Sequence, residues 1–213
     1  MSFFVRTCMK SLLLIVIGFT VSVMPAATAL ELIRKTSSAT IVIPAEAGPY
    51  EKFAAEELQT LLLKSTGVAL PIVADNSQEI TPAIFIGAHP ANAALAAKLN
   101  EFSTRYDRFA WECKNDRIFI TAPSNSALSY AVWDFLEKTT GIDFLIPGEM
   151  GAYIPRLDVL NINDRTVLEA PAFDFRSYSI NADSYNPDEH GLNAGEMFRF
   201  RNRFNMWRAL DPA

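Results

Sequence analysis

Residues 108–141, RFAWECKNDRIFITAPSNSALSYAVWDFLEKTTG, hold two apolar-rich runs back to back and then a long helical pattern. Arg108–Lys114 and Arg117–Ala122 read as strands. Only Asn115-Asp116 separates them, which is hairpin spacing, although the turn lacks the glycine that tight hairpins favour. Ser124–Thr139 then reads as a helix. Ser124 or Asn125 can cap it, Leu128, Ala131, Val132, Phe135 and Leu136 form one apolar face, and Gly141 closes it. Strands with hairpin spacing beside a substantial helix argue for an α+β fold.

The flanking sequence extends the pattern. Upstream, Ala39–Pro44 is a β-branched run ended by proline. Pro49–Thr66 is predicted as a helix with Phe53, Ala54, Leu58, Leu61 and Leu62 on one face, Pro49 in its first turn and Gly67 just past its end. Strands follow at Leu70–Ala74 and Ala83–Gly87, then a short alanine-rich helix over about Pro90–Leu99. Downstream, Asp143–Ile146 and Asp158–Ile162 read as strands. The expectation is a mixed β-sheet with two main helices on one face. Asn163–Glu169 is polar and runs into Ala170-Pro171, the pattern of a domain boundary. Beyond it Phe173–Ile180 reads as a strand, Asn181–Gly191 as a loop and Glu196–Leu210 as a helix. One strand and one helix cannot bury two apolar faces alone, so this is expected to be the first β-α unit of something larger.

The N-terminus has its own logic. Arg6 and Lys10 precede the apolar run SLLLIVIGFTVSVM, and small residues end at Ala27-Thr28-Ala29, the three parts of a secretory signal peptide. The apolar stretch is shorter than the ~20 residues a membrane span needs, and no lipobox cysteine precedes the cut. The predicted organisation is a signal peptide over 1–29, an α+β domain over 30–165, and the start of a second domain over 166–213. Cleavage near Ala29 places the protein in the periplasm or outside the cell, with no membrane attachment afterwards. It leaves 17 basic against 24 acidic side chains, a net charge of −7. That balance argues against nucleic acid, which rewards clustered Lys and Arg. Cys8 leaves with the signal, so Cys113 stands alone without a disulfide; in FAWECKN it reads as a small strand residue. Oligomeric state is not encoded in any of these features.

Few residues suggest chemistry of their own. His89 and His190 lack a second ligand at i+3 or i+4, so no zinc helix is expected, and no cofactor is implied. A nucleophile elbow and a phosphate loop are both missing. Glu56-Glu57 are adjacent on a helix and read as a solvated face. Asp188-Glu189 beside His190 fall in the loop after the boundary and read as hydrated, and Glu149 in PGEMG reads as a turn residue. Phe109, Trp111, Trp133 and Phe135 are expected in the core, with Phe204 and Trp207 core residues of a completed second domain.

The helix and strand AAEELQTLLLKSTGVALPI (Ala54–Ile72), the strand IFIG (Ile84–Gly87), the stretch SALSYAVWDFLEKTTGIDFLIPGEMGAYIP (Ser126–Pro155), and then APAFDFR (Ala170–Arg176) and RNRFNMW (Arg201–Trp207) follow one another in a recognisable order. That order resembles the N-terminal accessory domain ahead of the catalytic barrel in family 67 α-glucuronidases and family 20 β-N-acetylhexosaminidases, and looks closest to a group of secreted bacterial proteins related to both. The resemblance implies a metalloprotease-like α+β fold without its metal site, followed by the first strand and helix of an incomplete TIM barrel. It also implies that Arg176 matches an arginine that hydrogen-bonds substrate hydroxyls at the end of the first barrel strand, with Ser177 standing where family 20 carries glycine. A guanidinium's five donors suit that role at a barrel mouth. The glycosidic carboxylates of these families lie on later strands, past the last residue of this sequence. The functional expectation is the N-terminal portion of an exported carbohydrate-processing glycoside hydrolase, with a glycan or oligosaccharide as substrate and no catalysis by this chain alone. The alternative expectation is a free-standing exported carbohydrate-binding or docking module.

Overall fold

The computed structural model describes residues 29–34, 37–77, 79–177 and 192–205; residues 1–28 of the expected signal peptide, the whole expected loop Asn181–Gly191 with His190, and Trp207 lie outside them. The chain enters through β1 (Ala29–Arg34) and β2 (Ser37–Ser38), then β3 (Thr40–Ile43), α1 (Pro49–Thr66), β4 (Ile72–Ala74), β5 (Ala83–Ile86) and α2 (Ala93–Phe102). It continues through the hairpin β6 (Phe109–Lys114) and β7 (Arg117–Thr121), α3 (Asn125–Thr140), β8 (Asp143–Phe144), β9 (Ala152–Tyr153), β10 (Leu160–Asn163), β11 (Arg165–Glu169) and α4 (Ala194–Arg201).

The main sheet is six-stranded, in the order β11-β6-β7-β5-β3-β4. β4, β3, β5 and β7 run parallel, while β6 pairs antiparallel with β7 and the edge strand β11 pairs antiparallel with β6, so the expected mixed α+β sheet is the one found. β1 pairs with β10 and β2 in a separate small sheet. Side chains alternate across the main sheet with the period of two that strands impose. Ile41, Ile84, Trp111, Ile118 and Ile120 join the core beneath α1 and α3, whereas Ala110 faces Leu95 and Leu99 of α2 on the other side. The two long helices thus share one face, and the short alanine-rich helix covers part of the opposite one.

Local signals set most boundaries. Pro49 opens α1, and Glu51 accepts the Gly48 N–H at 3.1 Å as a capping box. The same Glu51 side chain lies against Gly87, where φ is +87° and an added Cβ would come within 2.6 Å of its Cγ; glycine is required there by both conformation and space. Gly67 and Gly141 terminate α1 and α3 in the left-handed region, and Ser124 caps α3 by accepting the Ala127 N–H.

Two strand expectations change. Arg165–Glu169, read as a polar connector, is strand β11, paired antiparallel with β6 and burying Val167. Phe173–Ser177, the described part of the expected strand Phe173–Ile180, has no regular secondary structure, and Phe173 and Phe175 are exposed. The helix expected over Glu196–Leu210 is found as α4, which begins two residues earlier and ends at Arg201; Met206 onward lies outside the described residues.

Candidate functional site

The strongest concentration of charge lies where the segment after β11 folds back over the α1/α3 layer. α4 starts with a capping box between Asn193 and Glu196 and points Met197 and Phe200 inward. Phe200 sits among Phe53, Tyr130 and Trp133, with ring centroids 6.0, 5.6 and 4.8 Å away. After Arg201 the helix ends, and Arg203 adopts φ +61°, a conformation that turns the chain sharply and is unusual for a non-glycine residue.

Three arginines of this segment meet three buried carboxylates. Arg201 donates from Nε and Nη2 to Glu57 at 3.0 and 2.9 Å, a two-pronged pairing. Arg203 reaches Asp134 at 3.1 Å and also pairs with Glu137. Arg176 donates to Asp107 at 2.7 Å, to the Arg203 carbonyl at 2.9 Å and to the Phe173 carbonyl at 2.8 Å. Two of the acids are also held from within: the Trp133 indole N–H donates to Glu57 at 3.0 Å and the Trp111 indole N–H to Asp134 at 2.8 Å. Lys138 bridges Asp134 and Glu169, both at 3.0 Å; burial opposes its charge, but these two hydrogen bonds outweigh it and raise the ammonium above its ordinary value. A pocket of about 450 Å³ opens beside these pairs, with Tyr130, Arg176, Lys138, Glu169 and Pro171 among its walls. Burial, then the nearby Asp107 carboxylate, pushes the Tyr130 phenol well above its usual range, and its hydroxyl donates to the Phe204 carbonyl at 3.1 Å.

Arg176 therefore stands on the pocket wall, bound to Asp107. Glu57 corrects its expectation: Glu56 is exposed, but Glu57 is buried, because it falls between Phe53 and Leu61 on the inner face of α1. Asp134 does not stand out in the sequence, because it lies between Trp133 and Phe135 on a helix that also carries the exposed acid Glu137. The alternating arginines of RNRF were the available signal for both. Phe109, Trp111, Trp133 and Phe135 are buried as expected, Phe204 is half-buried, and Glu149 is an exposed turn residue. Cys113 is buried, and that burial, helped by Asp164, Asp116 and Glu112, pushes its thiol up to about 11.

His89 is a structural residue. Its Nε2 donates to the Asp75 carbonyl at 2.8 Å and its Nδ1 accepts the Ala91 N–H at 3.0 Å, an arrangement that requires one neutral tautomer. Asp188, Glu189 and His190 lie outside the described residues. Among the described residues no group of three or more His, Cys, Asp or Glu could hold a metal ion, and no helix is long and apolar enough to cross a membrane.

No family model and no curated protein matches this chain. Solved structures similar to part of it include a mutant β-hexosaminidase of Streptomyces plicatus in complex with its product GlcNAc, at 14% identity and TM-score 0.46, covering 71% of this chain and 25% of that one. CpGH84D shares 10% identity over 71% of this chain and 23% of its own, with TM-score 0.46. The chitobiase of Flavobacterium johnsoniae shares 11% over 76% and 21%, with TM-score 0.41. The chain spans a quarter or less of the length of these three proteins.

Proposed function

We propose that this chain is the N-terminal portion of an exported carbohydrate-processing glycoside hydrolase, and that it supports catalysis without performing it. The observation that carries this is the order of sequence motifs from Ala54 to Trp207, which resembles the accessory domains of α-glucuronidases and β-N-acetylhexosaminidases. Charge at the pocket fits a supporting role. Glycoside hydrolysis needs an acid and a second carboxylate, or a participating substrate group, facing the scissile bond. Here Asp134, Glu137 and Glu169 are each held in an ion pair with Arg203 or Lys138. Export is part of the same proposal: cleavage after Ala29 would leave the buried Leu30, Leu32 and Ile33 of β1 in the mature chain. Arg176 is proposed to meet a substrate hydroxyl from the pocket side, its guanidinium plane fixed by Asp107.

The test is to express the full reading frame beside the 213-residue chain and assay both against chromogenic hexosaminides and glucuronides. The longer protein should hydrolyse at least one glycoside and lose most of that activity as Arg176→Ala, while the 213-residue chain should be inert. Turnover by the 213-residue chain would overturn the supporting role, and a reading frame that stops at Ala213 would overturn the assignment to a hydrolase. N-terminal sequencing of exported protein should begin at Leu30; retention in the cytoplasm with Met1 intact would remove the export claim.

A further inference from the structure

The surface that α4 covers combines an aromatic seat with aimed carboxylates. Phe53, Tyr130 and Trp133 surround Phe200, and Glu57 and Asp134 flank that seat. An indole N–H fixes each of these two acids from the domain's own interior. One indole hydrogen bond orients a carboxylate but supplies no counter-charge, and a buried anion without a cation is costly. Glu57 receives that cation from Arg201, and Asp134 receives Arg203 in addition to Lys138. The segment Leu192–Asn205 carries Arg199, Arg201 and Arg203 against the single acid Glu196, on a chain whose formal net charge is −5.

We propose that the α1/α3 face is a built interaction surface whose occupant is this chain's own segment Leu192–Asn205, a cationic aromatic clip. Phe200 fills the seat, while Arg201 and Arg203 fill the Glu57 and Asp134 sockets. Arg176 on Asp107 ties down the chain that leads away from β11. The α+β layer and the clip are then one cooperative folding unit, and a module cut at the polar stretch before Ala170 would expose both the seat and the sockets. This holds whatever substrate the protein handles.

A trans-docking experiment on the whole chain tests it. A labelled peptide of residues 192–205 should bind saturably to the F200A/R201A/R203A variant and at least tenfold more weakly to the unaltered chain, whose seat is filled. Adding Glu57→Gln and Asp134→Asn to that variant should weaken binding a further tenfold or more. Equal binding to variant and unaltered chain, indifference to the two carboxylates, or no binding by a variant with native near-ultraviolet dichroism would overturn the proposal. If the triple variant does not fold, urea midpoints of Glu57→Gln, Arg201→Met and the double variant decide instead. The double variant should lose clearly less than the two single losses combined; strict additivity would overturn the socket.

Discussion

Cys113 and Glu112 are neighbours on β6 with opposite surroundings. The Cys113 thiol lies in the core, its Sγ 3.8 Å from the Ile162 carbonyl, and is held protonated up to about 11. Since the thiolate is the reactive form, a Cys8→Ser protein should show no labelling by a thiol reagent at pH 8 while folded and complete labelling in denaturant. Glu112 is nearly buried, and burial alone would raise its carboxyl. The hydrogen bonds from Lys98 at 2.9 Å and Thr166 at 2.7 Å outweigh that and hold it below its ordinary 4.5. The folded-state value is thus depressed, so the unfolded chain binds more protons below about 4.5. The stabilisation is present above that pH and is lost as pH falls through the folded value. Glu112→Gln should therefore flatten the acid limb of a stability–pH profile, which denaturant titrations between pH 3 and 6 would measure.

The elements differ in how far their own residues define them. α1 and α3 carry proline or serine at one end, glycine at the other and an apolar stripe between, so their bounds follow from local chemistry. The β6–β7 turn is different: Asn115 and Asp116 occupy φ +53° and +58°, the left-handed conformation of a tight hairpin, without glycine. Asp116→Gly should relieve this and stabilise the protein by roughly 0.5–1 kcal/mol, read as a raised denaturant midpoint at unchanged slope. Gly141→Ala should cost about 1 kcal/mol or more, since alanine resists the left-handed cap that ends α3. β11 is hidden in the sequence because Arg165–Glu169 buries only Val167, and its strand character comes from pairing with β6 rather than from its own pattern.

At the scale of the whole molecule, the residues after β11 complete the cover over α1 and α3. Phe200 is buried among three aromatic rings, so Phe200→Ala should cost about 3–5 kcal/mol. A single cooperative transition should remain, seen alike by tryptophan fluorescence and far-ultraviolet dichroism. Loss restricted to helical signal, with the sheet still folded, would mean that α4 is only a loosely attached appendage. Glycine closures and apolar stripes made the sheet-and-helix layer legible; the site was legible only in fragments. Arg176 and the arginines of RNRF were visible as residues, but their partners sit 69 to 144 positions away.

What the sequence determined by itself is therefore local: the identities of the long helices and of the apolar strands, the caps, the hairpin, the lone core cysteine, and the order of motifs that carries the glycan proposal. Those features depend on neighbours within a few residues, where backbone sterics and side-chain periodicity act. Only the tertiary structure decided that Glu57 and Asp134 are buried sockets, that α2 lies on the opposite face from α1 and α3, and that Arg176 binds Asp107. These outcomes depend on which distant charges and apolar faces meet when the chain closes. A carboxylate on a helix reads the same in sequence whether water or a guanidinium finally receives it.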